Sequence, residues 1–542
     1  MTWFSLPITQ ADNKAAFYDS TSATRWLAGQ PQANAPAMLA ELVTQIQAFN
    51  GCGTSPRERF KTLEVLRKTL FAVSGECQRR YENKALPLLP AEQLALDMSR
   101  QLWRACRVAY LHCLRACLDG DPSIAEHSAK VAHRVLSCLR MEQMNCYLAG
   151  AELDADFWRN LHALLASAER LGVVREPVAD RLLGETSEST VSGQYCMILL
   201  LHLACPFSLA RAQFAATIRW FARWREQVAV LGEPDIGSKA CCIALDLAQE
   251  RPLHDNLRVA GVGRWLSIGG VLRKIRKRLE LLVAGESPES LKLGSGLSSE
   301  AAVALLNELY DHLKCPRQSA PDDPVDVSQI AVAAGLESIY RLLGGKGLKD
   351  SFMPATSFDS QLNQQQIALF GHVVRETEPG VESNTETWRA AQQEAGKLRL
   401  IRPAGSGASR LVLKGLLAIQ LPQHENYALA TISSLYSRCD GSLNISASLL
   451  SGEPTPLLAE MREKPSGKIS RHPAFLLPAT EGGNPASVLL PVGVPARSLS
   501  IRFYEAQKHT LLALGLADCN ERGGDNERWS VAAAVAVALV LE

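Results

Sequence analysis

The stretch Met38 to Gly51, "MLAELVTQIQAFNG", shows the pattern that governs the first half of the chain. Its apolar residues recur at spacings of three and four residues, at Leu39, Leu42, Val43, Ile46 and Phe49. That period places them on one face of an α-helix, and the Asn-Gly pair at the end is a typical helix stop. The stretch therefore predicts an amphipathic helix with one buried face.

The same period continues from residue 25 to about residue 310. It is clear in three further segments, "RFKTLEVLRKTLFAVSGECQRRY", "AEQLALDMSRQLWRACRVAYLHCLRACL" and "ADFWRNLHALLASAERLGV". Short breaks such as "DGDPS" and "LGEPD" separate the helical segments. We therefore predict an all-α domain of helical hairpins over residues 20–310, and its arrangement as a solenoid or a bundle stays open.

The pattern changes near residue 310, after the Gly/Ser-rich break "AGESPESLKLGSGLSSE" and before the Pro-rich segment "PRQSAPDDP". Beyond a polar insertion near residues 345–395, about seven short segments show a period of two and are divided by Pro, Gly and Asn. Such spacing is typical of a barrel or sandwich. We predict an α+β multidomain protein, with an antiparallel β-barrel domain over residues 311–542.

The bulk composition limits the partners of the chain. Its 542 residues carry a formal net charge of +1, so no chain-wide attraction to nucleic acid or to an anionic membrane is expected. The N-terminus lacks a basic segment followed by an apolar one, and no apolar run reaches the roughly 20 residues of a membrane span. Fourteen cysteines are then most simply reduced thiols. We expect a cytoplasmic protein without membrane insertion.

The chain lacks the common catalytic signatures GxxxxGK[ST], HExxH, GxSxG and GxGxxG. The three cysteines at 106, 113 and 117 share a helix face, but no CxxC or HxxxH motif accompanies them, so we expect no metal and no cofactor. The main interpretation is a non-enzymatic protein. The rival is an enzyme whose site is assembled from scattered residues such as His202, Asp246 and His254.

Two helical segments could contact a protein partner. "VLRKIRKRLELL" carries Arg273 and Arg276 on a strongly basic face, whose alternative is a solvated surface. "IRWFARWREQ" carries Trp220 and Trp224 at helical spacing among arginines, and the alternative for these tryptophans is the core. We predict these four residues as partner-binding candidates.

Segments across most of residues 20–505 resemble one family of proteins. They are "RWLAGQPQANAPAML", "FWRNLHALLASAERLGVVREPVAD", "YCMILLLHLACPFSLARAQFAATIRWFARW", "GLESIYRLLGG", "WRAAQQEAGKLRLIRP" and "RCDGSLNISASLLSG". The family comprises proteobacterial cytoplasmic proteins with a long helical N-terminal part and a C-terminal PilZ-like domain. Some of its members are labelled cyclic-di-GMP-binding proteins or molecular chaperones. The resemblance implies that the predicted barrel is of PilZ type.

In PilZ domains that bind cyclic di-GMP, an RxxxR segment contacts the phosphates and a [DN]xSxxG strand contacts the guanine. Arg317 stands where the first arginine is expected, but Pro321 occupies the place of the second. Gln392 and Glu394 occupy the expected Asp/Asn and Ser positions. The resemblance therefore implies a degenerate PilZ-like domain.

Two functions follow from the resemblance. The first is a regulator or adaptor that binds cyclic di-GMP through Arg317, aided by Arg399 or Arg402, and acts through a protein partner. The second is a scaffold or chaperone-like interaction module without a small ligand. Arginine suits the first function because its guanidinium group binds phosphate with two parallel hydrogen bonds and also stacks on bases.

Overall fold

The structure, a computed structural model, describes residues 6–8, 15–30, 34–183, 188–233, 241–253, 263–314, 328–345, 385–394, 396–405, 409–422, 424–479, 485–505 and 511–536. These residues form two compact units. The first lies within 1–84, 88–322 and 436–439, and the second within 85–87, 323–435 and 440–542. No helix in the described ranges is long and apolar enough to cross a membrane.

The first unit is mainly helical. Its helices are α1 (Ser20–Ala28), α2 (Ala35–Asn50), α3 (Pro56–Gln78), α4 (Pro90–Leu118), α5 (Ser128–Leu148), α6 (Ala155–Arg170), α7 (Val191–Leu203), α8 (Arg211–Trp224), α9 (Gly269–Val283) and α10 (Ser299–Lys314). One hydrophobic core links residues from Phe17 to Leu313. α7 is apolar on all sides, so it is buried among α5, α6 and α8. This shared core around a central helix is a bundle and answers the question left open by the sequence.

The first unit is not purely helical, which corrects the all-α prediction. β1 (Val178–Ala179) and β2 (Glu188–Ser189) form a short antiparallel ribbon. β3 (Ala229–Leu231), β5 (Arg264–Ser267) and β4 (Cys242–Leu245) form a three-stranded antiparallel sheet. These strands are too short to show a two-residue period, and tertiary pairing decides their conformation. α10 continues past the predicted domain end at residue 310, because its apolar face extends to Leu313 in the core.

The second unit contains two closed, six-stranded antiparallel barrels in its described part, where the sequence predicted one. The first barrel has the strand order β6-β7-β8-β11-β10-β9, and α11 (Leu336–Leu342) follows β6. Its strands are β6 (Ser328–Ala334), β7 (Glu386–Glu394), β8 (Lys397–Arg402), β9 (Leu416–Gln420), β10 (Tyr427–Ser437) and β11 (Leu443–Leu449).

The second barrel has the order β12-β13-β14-β17-β16-β15 and contains the short helix α12 (Val494–Arg497). Its strands are β12 (Thr455–Glu463), β13 (Ile469–Leu477), β14 (Ser487–Pro491), β15 (Ser498–Glu505), β16 (Leu511–Arg522) and β17 (Asn526–Ala536). α11 packs its buried Ile339 and Tyr340 against residues of both barrels, including Leu416 of the first and Phe475 of the second.

The seven segments with a period of two each contain a strand, as β8 to β11 and β13 to β15. They are "GKLRLIRP", "RLVLKGLLAIQLP", "YALATISSLYSR", "SLNISASLL", "PAFLLPA", "ASVLLPV" and "RSLSIRFY". The sequence missed strands in both barrels. β7 is polar and lies inside the predicted insertion near 345–395, of which residues 346–384 fall outside the described ranges. β12 carries charges among its apolar residues, and β17 consists largely of small residues. A barrel that closes leaves no free edge, so the further strands pair with one another in a barrel of their own.

Candidate functional site

A cleft of about 610 Å³ opens in the first unit, beside the N-terminus of α7. Four neighbouring segments line it, namely the end of α6, the turn that follows α6, the start of α7 and the chain from Arg225 to Val230. The lining residues are Leu165, Glu169, Gly172, Val174, Arg175, Thr190, Ser192, Gly193, Arg225, Glu226, Val228, Ala229 and Val230. Its volume lies in the range of small-molecule sites, which is about 300–1,000 Å³.

The start of α7 is held in place by its capping residue. The side-chain oxygen of Thr190 accepts a hydrogen bond from the N–H of Gly193 at 2.9 Å. Thr190 is therefore a typical N-cap residue at the start of α7. The N–H of Ser192 donates to the carbonyl of Val174 at 3.0 Å. The turn after α6 is thereby tied to the first turn of α7, so two walls of the cleft keep a constant separation.

Gly193 allows the close packing of this wall. A Cβ at that position would lie 3.2 Å from Thr190 Oγ1 and 3.3 Å from Glu226 Oε1. Both distances are tighter than ordinary contact, so a side chain at residue 193 would require Thr190 or Glu226 to move by a few tenths of an ångström.

Arg225 supplies a fixed positive charge to the cleft. Only 4% of the residue is exposed, and its Nη2 donates to the carbonyl oxygen of Glu188 at 2.9 Å. Its Nε lies 3.4 Å from Glu226 Oε1 in a weak contact. The guanidinium group is therefore held by the backbone of β2 and oriented by it.

Arg175 and Glu169 give the cleft two further charges, of which only that of Glu169 is neutralised by an ion pair. Arg175 is exposed and makes no ion pair with any residue in the described ranges. Glu169 accepts two hydrogen bonds from Arg264, at 2.8 and 2.6 Å, and so is already neutralised. Arg175 is thus the cation of the lining that is free to meet an incoming anion.

A buried polar network lies behind the cleft. Ser189, which follows directly on Glu188 in β2, has its hydroxyl 2.5 Å from His133 Nε2 and accepts from Gln194 Nε2 at 2.9 Å. Burial lowers the pKa of His133 to about 3, so the ring is neutral. The position of β2, and with it that of Arg225, depends on these contacts.

The lining can bind a ligand that carries phosphate and a purine. Guanidinium groups such as those of Arg175 and Arg225 form charge-assisted hydrogen bonds to phosphate oxygens. The carboxylate of Glu226 can accept from N–H donors on a base edge, as the guanine amino group is such a donor. Val174 and Val228 offer an apolar surface beside these groups.

Arg402, predicted to assist a nucleotide, lies inside the first barrel with 1% of its surface exposed. Its Nε and Nη2 donate to the two carboxylate oxygens of Glu386 at 2.7 and 2.9 Å, and its Nη1 donates to the carbonyl of Ser409 at 2.8 Å. Its Cζ is 5.8 Å from the ring centroid of Trp388. The guanidinium group of Arg402 is therefore bonded to other residues of the barrel.

Arg399 and Arg402 do not share a site. They are three residues apart in β8, and side chains alternate along a strand, so they point to opposite faces. Arg399 is 9% exposed and lies between Ala391 of β7 and Ser446 of β11 in the sheet register. Arg317, together with Pro321, lies outside the described residues.

The partner-binding candidates separate into two groups. Trp220 and Trp224 are 1% and 4% exposed, and Trp220 Nε1 donates to the carbonyl of Leu293 at 2.9 Å. These indoles belong to the core, which corrects the predicted groove, because helical spacing alone does not tell an inward face from an outward one. Arg273 and Arg276 are exposed on α9, and Arg276 donates to the hydroxyl of Tyr310 at 2.5 Å.

Of the scattered residues of the rival enzyme, the structure describes His202 and Asp246. Burial lowers the pKa of His202 to about 4, and its Nδ1 lies 3.0 Å from the Tyr147 hydroxyl. His254 lies outside the described residues. Within the ranges that the structure describes, no group of three or more His, Cys, Asp or Glu residues could hold a metal ion.

The cleft could not be predicted from sequence spacing. Its residues are drawn from positions 165 to 230 and meet only because α6, α7 and β3 pack together. The one local signal is "TVSG", Thr190 to Gly193, an N-cap residue directly before an apolar helix. That pattern marks a helix start and carries no information on ligands.

Comparison with known families gives one match. Residues 21–235 match the family model described as "Cyclic-di-GMP receptor FimW, N-terminal domain". The matched range includes every residue that lines the cleft, and it ends before both barrels. Neither a curated protein nor a solved structure matches the chain with significance. The PilZ-like identity of the barrels thus stays a prediction.

Proposed function

We propose that the protein is a cyclic-di-GMP receptor whose ligand binds in the cleft beside α7. The observation that carries the proposal is the presence of this cleft, with Arg175 and Arg225 in its lining, entirely within the residues that match a receptor domain. The two guanidinium groups would contact the phosphates of the ligand. Glu226 would accept from a guanine edge, and the valines would contact the base faces.

The receptor acts by recognition and is not an enzyme. Binding can change function only if the ligand favours one conformation of the protein over another. The start of α7 and the turn after α6 both line the cleft and are tied together, so a ligand between them would shift both. A protein partner would then read the change, and the exposed basic face of α9 with Arg273 and Arg276 is our candidate for its contact.

The test is calorimetric titration of cyclic di-GMP into the full-length chain and into Arg175→Ala. Loss of a charge-assisted hydrogen bond costs about 1.5–3 kcal/mol, so we expect affinity to fall at least about tenfold. Arg175→Lys should restore part of the loss. Arg170→Ala is the matched control, because Arg170 is an exposed arginine at the end of α6 that does not line the cleft.

Two results would contradict the proposal. Absence of saturable binding by the wild-type chain at high micromolar ligand would remove the receptor function and favour the scaffold alternative. Binding that survives Arg175→Ala but is lost in Arg317→Ala or Arg399→Ala would retain the function and move the site to the region first predicted. Circular dichroism of each variant checks that the fold is intact.

A further inference from the structure

A second depression, of about 620 Å³ and shallower than the cleft, lies beside α8 in the first unit. Its lining consists of Arg223, Glu289, Lys292, Gly294 and Ser295. Arg219, one helical turn before Arg223, reaches the same place, because its Nη2 is 3.9 Å from the position a Cβ would take at Gly294. We call Arg219, Arg223, Lys292, Gly294 and Ser295 the α8 shelf.

The loop of the α8 shelf has a defined conformation. Lys292 and Gly294 have φ angles of 59° and 90°, in the left-handed region, and the N–H of Leu293 donates to the carbonyl of Pro288 at 2.7 Å. Glycine suits position 294 because it adopts this conformation without steric cost and leaves the backbone open to a ligand.

The loop is also attached to α8. Trp220 Nε1 donates to the carbonyl of Leu293 at 2.9 Å, and Arg223 Nη1 donates to the carbonyl of Lys292 at 2.5 Å. The arginine face of the helix and the glycine loop therefore hold a constant geometry, and a ligand would not need to order them first.

The α8 shelf concentrates positive charge in a protein whose overall charge is +1. Three cations, Arg219, Arg223 and Lys292, face a single acidic residue, Glu289. None of the three cations forms an ion pair within the described part of the chain. Arg223 has a structural role through its bond to the carbonyl of Lys292, whereas no hydrogen bond from Arg219 to the loop is found in the described part of the chain.

We infer that the α8 shelf binds the phosphate group of a small soluble ligand, at a site separate from the cleft. Arg219 and Arg223 lie four residues apart on one helix face, so both guanidinium groups can meet one anion. Lys292 adds a third charge from the loop, and the backbone of the glycine segment permits close approach. Guanidinium donors match phosphate with two parallel hydrogen bonds, and three cations favour an anion that carries more than one negative charge.

The test uses pyrophosphate as the probe, titrated into the full-length chain at constant ionic strength. We expect saturable binding that weakens at least about tenfold in Arg219→Ala, which corresponds to about 1.4 kcal/mol. Arg170→Ala is the control, since it removes the same charge from an exposed position at the end of α6 that lines neither the cleft nor the α8 shelf, and it should change affinity less than about twofold. Arg219→Lys should bind with intermediate affinity.

Arg219→Ala leaves the bond from Arg223 to the loop in place, so the variant tests binding without removing that attachment. No saturable binding by the wild-type chain at millimolar pyrophosphate, or equal losses in Arg219→Ala and Arg170→Ala, would overturn the inference. Cyclic di-GMP titrated into Arg219→Ala identifies the source of the phosphate. An unchanged affinity supports a separate ligand, whereas a tenfold loss would overturn the separation of the two sites.

Discussion

The carboxylate of Asp180 accepts two hydrogen bonds from the guanidinium group of Arg67, at 2.9 and 2.6 Å, and both side chains are buried. Arg134 of α5 donates a third bond to Asp180 at 2.9 Å. Burial alone would raise the pKa of Asp180, but its bonds with Arg67 and the charges of both arginines lower it. One carboxylate after β1 thus joins α3 to α5.

The substitution Asp180→Asn should destabilise the helical unit by about 3–5 kcal/mol, because it leaves the buried guanidinium group of Arg67 without its paired carboxylate, while Arg134 keeps its ion pair with Glu64. Urea unfolding followed by circular dichroism measures the loss. Glu126→Gln is the control, since the Arg57–Glu126 pair is exposed and should contribute less than about 1 kcal/mol. Equal losses in the two variants would show that the buried pair adds no more stability than the exposed pair.

Acid should weaken the helical unit before its carboxylates protonate. Burial lowers the pKa of His133 to about 3, and those of His112 and His202 to about 4. In the unfolded chain each ring titrates near about 6.5, so protons bind the unfolded state first as pH falls. The free energy of unfolding should be constant above that pH and decrease from about pH 6.5 towards pH 4.

The variant His133→Gln removes one of these titrating rings. We expect the pH dependence of its unfolding free energy between pH 6.5 and 4.5 to decrease by the equivalent of about one proton. Urea titrations at several pH values measure the slope. A slope identical to that of the wild-type chain would mean that His133 is protonated in the folded state.

Close packing at the start of α9 should make Gly270→Ala destabilising. A Cβ at residue 270 would lie 2.4 Å from the carbonyl oxygen of Gln227, which is backbone and cannot rotate away. We expect a loss of about 1–3 kcal/mol. Gly75→Ala in α3 is the matched control, because nothing lies within 4 Å of its Cβ and alanine favours the helix by about 0.5–1 kcal/mol. Thermal unfolding should move in opposite directions for the two variants.

Asp525 should make the second unit less stable as pH rises from the acidic range towards neutrality. Its carboxylate accepts from the N–H of Leu416 at 3.1 Å and from Asn526 Nδ2 at 2.7 Å, and burial raises its pKa. Its contribution to stability is complete below about pH 3.9, its ordinary pKa, and is lost as pH rises through the higher folded value.

The variant Asp525→Asn keeps an oxygen acceptor for Leu416 and cannot ionise. We expect its unfolding free energy to improve relative to the wild-type chain as pH rises from 4 to 7. Chemical unfolding of the full chain at matched pH values measures this difference. A difference that stays constant with pH would indicate that Asp525 keeps an ordinary pKa.

The substitution Arg402→Ala should lower the stability of the first barrel, whether or not a ligand is bound. It removes both bonds to Glu386 and the bond to Ser409 from the interior, so we expect a loss of about 3 kcal/mol. Arg399→Ala, on the other face of β8, is the comparison variant within the same strand. Unfolding curves for both variants separate a structural from a binding role, and an unchanged curve for Arg402→Ala would contradict the structural one.

The spacing of apolar residues along the sequence was sufficient to predict helices and strands that have one buried face. The stretch from Met38 to Asn50 lies in α2, and Gly51 is the residue that caps its C-terminal end. The segment with a period of two that begins at Tyr427 forms β10. Polar or very short strands such as β7 and β3 were not predicted, because their conformation is decided by the strands beside them. The burial of Trp220 could not be predicted either, since the helical spacing of residues does not show which face of the helix packs against the core.

The sequence by itself determined the division into a helical part and a strand-rich part, because the period of apolar residues follows from backbone geometry. It also determined the lack of common catalytic and metal motifs. Only the tertiary structure decided that the strands close into two barrels and that Arg402 pairs with Glu386 inside one of them. The same holds for the meeting of Arg175 and Arg225 in one cleft, since residues far apart in sequence come together only through packing.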